Sequence, residues 1–430
     1  MMRGGIRVPL GGTVLALAVF SAQPCLAAIE LLAPTNGATV AIVPEAQKKV
    51  MSLPTLDERI KLFAEDRAHG KVIRHDKYWR KSLPLVLKWR TTSDKECSCK
   101  VEIGKAPDLS DARVWFVKMK KVDAASGRET GGNVFSGGVK SFTVPLANLE
   151  IAQRYYWRIT TRGRCGTWSC GIFCPCNNSK IVERSEIASF VTEDFAPRWI
   201  EIEGRAYNMR DLGGRLARDG RRVRQGMIIR GQGLNDNSAT GEVPGRNRLT
   251  VEDVKYLTGT LGIRTDLDLR GVRETADMKE SPLGKGVNLI ISPATSYDGI
   301  FKTSGKEKMA KAFRVFCDRK NYPVYVHCIG GADRTGALAY VLNGVLGVDR
   351  QGIETDWEST FYPNIPDADH GPTHWCREGH FNEGFIKYGK EGDSWNKRIE
   401  LYLLDCGVSE GEIATFREIM LEPHKADTGD

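Results

Sequence analysis

The sequence predicts a multidomain chain: an export signal, an all-β sandwich-like region over 30–195, and an α/β domain with a largely parallel central sheet over 198–422. Three observations predict it. The 430 residues exceed what one hydrophobic core usually serves. Strand-like runs separated by turn residues fill the first half. After Phe195-Ala196-Pro197-Arg198-Trp199, apolar strands alternate with amphipathic helices, as in a sheet built by helical crossovers.

Residues 1–28 read as a signal peptide, with Arg3 and Arg7 at its start, an apolar run from Val14 to Phe20 and small residues at Ala27 and Ala28. That run is shorter than the roughly 20 residues a spanning helix needs. No other stretch approaches this length, so no transmembrane segment is expected after signal removal. The expected location is secreted or periplasmic. The formal net charge of +8 favours anionic partners in general. No basic run interleaved with aromatics is present, and no nucleic-acid partner is expected.

In the β region, Leu32-Ala33-Pro34 opens a short strand with a turn at Asn36-Gly37. Residues 45–69 form a helical insertion, with Leu56, Ile60 and Phe63 at helical spacing. Strands are expected at Leu83–Trp89, Val114–Met119, Ser141–Val144, Tyr155–Thr161 and Ile187–Thr192. Cys97, Cys99, Cys165, Cys170, Cys174 and Cys176 crowd this region. In an oxidising compartment they read as disulfides; the alternative is a structural zinc site. Six cysteines allow fifteen pairings, so none is assigned.

In the second region Thr250 caps a helix, with Asp253 three residues on. Ile263–Leu269 and Pro323–His327 read as buried strands, and Arg334–Leu346 as a helix stopped by Gly347. Between the last two lies the informative stretch, His327-Cys328-Ile329-Gly330-Gly331-Ala332-Asp333-Arg334-Thr335-Gly336. A loop curling from a strand into a helix aims its backbone N–H groups at one point, where the helix dipole also favours an anion. Ile329, Gly330, Gly331, Ala332 and Thr335 are therefore candidate phosphate-binding positions. Gly330 and Gly331 permit close backbone approach, and the planar fork of Arg334 suits two phosphate oxygens. A helix N-terminus and an arginine favour a thiolate, which makes Cys328 the candidate nucleophile. Thr335 is expected beside the sulfur as a hydrogen-bond donor, and His327 is expected to orient the loop.

The Cys-x5-Arg-Thr loop resembles that of the protein tyrosine phosphatase superfamily. The wider pattern is similar to its bacterial and fungal tyrosine phosphatase family 3 branch, which includes secreted phosphatase B-type enzymes. Asn208-Met209-Arg210-Asp211-Leu212-Gly213-Gly214, then Gln225-Gly226-Met227-Ile228-Ile229-Arg230, then Thr265-Asp266-Leu267-Asp268-Leu269-Arg270 with Glu274 carry the likeness in order. The resemblance implies a phosphomonoester hydrolase working through a phosphocysteine intermediate on a phosphorylated protein, with no cofactor. Phosphorylated lipids or inositol phosphates are the alternative substrates, and a non-catalytic phosphate-binding module is the alternative class. The branch often carries Lys where this chain has Ala332, which weakens the case for multiply phosphorylated lipids. Asp333 is the implied general acid, with Asp298 as rival. Asp211, Asp268, Arg270 and Glu274 are expected to brace the loop, with Arg230 and Arg270 either bracing or facing the pocket. Eight arginines from Arg205 to Arg230 read mostly as a solvated basic face.

Leu149 to Arg158, ending Tyr155-Tyr156-Trp157-Arg158, resembles the tyrosine-corner strand of fibronectin type III domains, with Trp89 as core tryptophan. Asp367, Asp369, His370, His374, Cys376 and His380 follow no standard ligand spacing, and no metal site is expected. Cys317, Cys376 and Cys406 are either core residues or redox partners for Cys328.

Overall fold

The computed structural model describes residues 29–68, 82–91, 98–121, 134–136, 139–164, 180–236, 243, 245–275, 278–361, 376 and 380–424. The expected signal at 1–28 lies outside the described residues. So do Cys97, Cys165, Cys170, Cys174 and Cys176, and Asp367, Asp369, His370 and His374.

Two sheets form the N-terminal region. One runs β1 (Glu30–Ala33), β3 (Val86–Arg90), β8 (Val139–Thr143), β7 (Val134–Ser136), β6 (Lys120–Lys121). The other runs β2 (Ala38–Val40), β11 (Ala188–Thr192), β9 (Arg154–Arg164), β4 (Ser98–Gly104), β5 (Arg113–Lys118), with β10 (Lys180–Arg184) also on β9. Most pairings are antiparallel; β2–β11 and β6–β7 are parallel. Successive residues of a strand point to opposite faces, and the inward ones here meet in one core. Leu87 and Trp89 of β3, Phe142 of β8, Val101 of β4, and Trp157 and Ile159 of β9 all belong to it. The sequence reading does not single out β4, although it lies between β9 and β5. Lys100 and Glu102 interrupt its apolar run, and only the pairing with β9 reveals their use. Glu102 takes Lys100 at 2.7 Å and Arg158 at 3.1 Å.

The third sheet runs β12 (Arg210–Asp211), β13 (Ile228–Gly231), β16 (Val324–His327), β14 (Thr265–Asp268), β15 (Asn288–Ile291). All its pairings are parallel except β12–β13. Both faces are covered, as parallel sheets require. Ile228, Val324 and Val326 face the large core, which takes in α5 (Thr303–Val315), α6 (Asp333–Val345), α7 (Arg350–Glu358), α8 (Phe381–Ile386), α9 (Trp395–Asp405) and α10 (Glu410–Met420). Ile229 and Tyr325 face a smaller core with Leu257 and Ile263. The helix begun at Thr250 has the expected cap, a complete capping box with Asp253. It stays α-helical only over α3 (Val251–Lys255), then becomes a π-helical turn over Tyr256–Thr260. The short α4 (Val272–Thr275) follows β14.

The helical insertion is α1 (Glu45–Met51) and α2 (Leu56–Ala68). It packs on α7: Arg59 meets Glu354 at 2.5 Å, both buried, and Gln351 Nε2 donates to the Met51 carbonyl at 2.9 Å. At the junction of the two regions, Arg198 holds Asp211 at 3.1 Å and donates to the Asn148 carbonyl at 3.0 Å. Among the described residues no helix is long and apolar enough to cross a membrane.

Candidate active site

Cys328 directly follows β16, at the carboxyl end of the parallel strands, where open α/β sheets bind ligands. Its thiol is free and buried. The chain then turns through 329–332 and enters α6 at Asp333. Gly331 makes the turn possible. Its φ is +68°, and a Cβ there would lie 2.2 Å from the Gly231 carbonyl oxygen.

Every carbonyl of this turn is tied outward. The Cys328 carbonyl accepts from His327 Nδ1 at 3.0 Å, and that of Ile329 from the Gly233 amide at 2.9 Å. The Gly330 carbonyl accepts from Asn208 Nδ2 at 3.0 Å, and that of Gly331 from Arg230 Nη2 at 2.8 Å. The Ala332 carbonyl accepts from Trp357 Nε1 at 2.8 Å. No acceptor among the described residues takes a hydrogen bond from the amides of 329–335. Carbonyls fixed outside and amides left unpaired make a cup for an anion. Thr335 Oγ1 is buried without a partner, so the expected hydrogen bond to the sulfur is not formed. Arg334, at the second position of α6, sets its fork on Glu274 of α4, with contacts of 2.7 and 2.9 Å. Hydrogen bonding to Arg334 lowers the Glu274 pKa.

Two networks hold the cup. On the β14 side, His327 Nε2 sits 2.9 Å from Asp266 Oδ1. Both ring nitrogens thus face oxygens, which favours the doubly protonated ring. Burial opposes that charge, but Asp268 and Asp266 outweigh it and the His327 pKa is raised. Burial likewise pushes Asp268 up, and His327 and Arg270 overcome it. Arg270 also reaches Asn235 at 2.7 Å. On the α7 side, Asp356 receives Arg230 at 2.6 Å, Arg210 at 3.4 Å and Arg215 at 3.6 Å. Burial opposes its ionisation, yet the three guanidiniums hold its pKa at about 2. Arg210 also grips Asn208 Oδ1. Arg210, Arg215, Arg230 and Arg270 are buried, whereas Arg205 and Arg218 of the expected basic face are exposed.

The two acid candidates differ sharply. Asp333 is half-buried at the first turn of α6 and accepts a hydrogen bond from the Tyr297 hydroxyl. Asp298 points outward, with its side chain 62% exposed and paired with Lys302 at 3.3 Å. The sequence reading gave no role to Asn208, Gly233, Tyr297, Asp356 or Trp357. Asn208 lay within a quoted motif; the others carried no local signal. Among the described residues no group of three or more His, Cys, Asp or Glu side chains is arranged to hold a metal ion. Cys376 is buried, its amide bonded to Glu358, and His380 is exposed.

An α/β domain that wraps a Cys-x5-Arg turn around unpaired amides at the end of its central strand has the build of a cysteine-based phosphatase. Residues 200–369 match the model of a family described as the tyrosine phosphatase family. A similar solved structure is the core catalytic domain of the PP-IP phosphatase SIW14 from S. cerevisiae in complex with citrate. It is 16% identical, covers 37% of this chain and 84% of its own, and gives a TM-score of 0.25. No curated protein matches the chain.

Proposed function

We propose that the chain is an exported, cysteine-dependent phosphomonoester hydrolase acting on phosphoproteins, phosphotyrosine first. The observation that carries this reading is the cup: all five carbonyls from Cys328 to Ala332 turned away, amides left unpaired, Cys328 beneath and Arg334 alongside. Phosphate oxygens accept from the amides of 329–335 and from Arg334. The Cys328 thiolate attacks phosphorus in line; the S–P bond forms as the P–O bond to the alcohol breaks. Asp333 gives its proton to the leaving oxygen. Water then attacks the phosphocysteine, Asp333 takes the water's proton, and the S–P bond breaks to regenerate the thiolate. Asp333 is preferred to Asp298 because it belongs to the turn itself, whereas Asp298 faces solvent.

The N-terminal region reads as a fibronectin type III-like sandwich. Two features support it: Tyr155 Oη accepts from the Glu150 amide at 2.9 Å, the bond that defines a tyrosine corner, and Trp89 is wholly buried. Export rests on the sequence of residues 1–28.

The test is hydrolysis of an aryl phosphate and of a phosphotyrosine peptide by reduced protein, with inositol phosphates and phospholipids alongside. Cys328→Ser should abolish turnover yet retain orthovanadate or phosphate binding. Turnover in that variant would refute the mechanism, and preference for inositol phosphates would refute the substrate class.

A further inference from the structure

The residue next to the rival acid, rather than that acid, reaches the loop. Tyr297 opens the short 3-10 turn Tyr297–Phe301 that follows β15. Its φ is +52°, a conformation unfavourable for an aromatic residue and a pointer to function when the surroundings enforce it. The surroundings do so at two points. Its ring stacks on Trp357, centroids 6.0 Å apart and planes within 15°. Its hydroxyl donates to Asp333 Oδ1. Trp357 in turn donates to the Ala332 carbonyl at 2.8 Å, so ring and hydroxyl are both fastened to the same turn of the cup.

We infer that Tyr297 is a positioning residue for proton transfer. It fixes Oδ1 of Asp333 and leaves Oδ2 as the oxygen that carries the proton to the leaving group. The inference rests on Asp333 being the general acid. No other described side chain hydrogen-bonds the Asp333 carboxylate. The ionisable groups around it are Arg334 beside it on α6, Glu274 across Arg334, Cys328 at the base of the cup, and Asp298 next to Tyr297, itself paired with Lys302. Tyr297 thereby sets the direction in which the acid presents its proton.

The test is kcat/KM for wild type, Tyr297→Phe and Asp333→Asn, each with an alkyl phosphate and with an activated aryl phosphate. Phe keeps the ring and its stacking, and orthovanadate binding within about two-fold of wild type checks that the cup is intact. The alkyl substrate should slow about ten-fold, and the activated aryl substrate, which needs little acid help, far less. Equal losses on both substrates overturn the inference. Should Asp333→Asn keep the alkyl rate, the acid assignment itself falls. Should Asp333→Asn lose it while Tyr297→Phe changes nothing, only the role of Tyr297 falls.

Discussion

The weakest tie of the cup is the one at Gly330. Its carbonyl is held by a single side chain, Asn208 Nδ2 at 3.0 Å, and the peptide it belongs to lies between two glycines, Gly330 and Gly331. No side chain opposes a flip of that peptide. A flip would turn the Gly331 N–H out of the cup and the Gly330 oxygen into it, facing the phosphate. Asn208→Gly removes this lock, together with the oxygen that Arg210 grips, and adds no backbone strain, because Asn208 has a φ of +59° that glycine adopts readily. The lost neutral hydrogen bond contributes about 1 kcal/mol, or a factor of about five in the flip equilibrium. Apparent affinity scales with the competent fraction. Phosphate or orthovanadate should therefore bind Asn208→Gly more weakly, by up to about five-fold, with a matching fall in kcat/KM. Asn208→Asp sharpens the test. It keeps an oxygen for Arg210 but sets a carboxylate against the Gly330 carbonyl, so it should bind phosphate more weakly than the glycine variant. Competitive inhibition constants for inorganic phosphate give the ranking. Wild-type affinity in Asn208→Gly, or tighter binding in Asn208→Asp than in Asn208→Gly, would refute the reasoning.

Two further predictions concern stability. Glu358 is buried, its Oε2 has no partner, and burial raises its pKa to about 8. A raised pKa stabilises the fold at acid pH and loses that contribution from about 4.5 up through about 8. Glu358→Gln should thus gain on wild type as pH rises from 5 to 8.5, by up to about 5 kcal/mol at 1.4 kcal/mol per unit. Urea midpoints across that range check it, and a pH-independent difference would count against it. Arg59→Met removes the buried contact between α2 and α7, but Glu354 keeps Arg350 at 2.8 Å and Asn382 at 3.1 Å. The loss should therefore fall below the 3–5 kcal/mol of an abandoned buried charge, about 1–3 kcal/mol by denaturation. kcat/KM should change less than ten-fold, since Asp356 and Trp357 stay in place.

The cup was legible because its chemistry is contiguous: strand, cysteine, two glycines, arginine and helix occupy one short stretch, and the same local logic exposed the Thr250 cap with Asp253. What holds the cup was legible only in part: His327 and Arg230 stood out in the sequence, but the ties from Asn208, Gly233 and Trp357 meet only after folding. Arg210, Arg215 and Arg230 illustrate the limit. Spacing cannot tell a buried arginine from a solvated one when the partner, Asp356, stands more than a hundred residues away. Strand β4 was hidden for a similar reason, as Glu102 looks like surface until Arg158 arrives from β9. Tyr297 gave no signal at all, because a left-handed backbone leaves no mark on an aromatic residue's name.

The two networks around the cup are unequal in charge, and the inequality bears on function. On the β14 side the imidazolium of His327 and the guanidinium of Arg270 face the carboxylates of Asp266 and Asp268, two against two. That side is balanced and serves to position. On the α7 side three guanidiniums converge on Asp356, with Asp349 and Asp211 acting on Arg215 at longer range. Arg215 Nη1 and Nη2 and Arg230 Nε have no hydrogen-bond partner. A buried surplus of positive charge is costly to a fold. Here it lies directly behind the Gly331 carbonyl that Arg230 grips, and an anion in the cup would offset it across a low-dielectric layer. Ala332 brings no charge of its own to the loop and leaves this surplus untouched. An anion in the cup would therefore be attracted from beneath the loop as well as by Arg334.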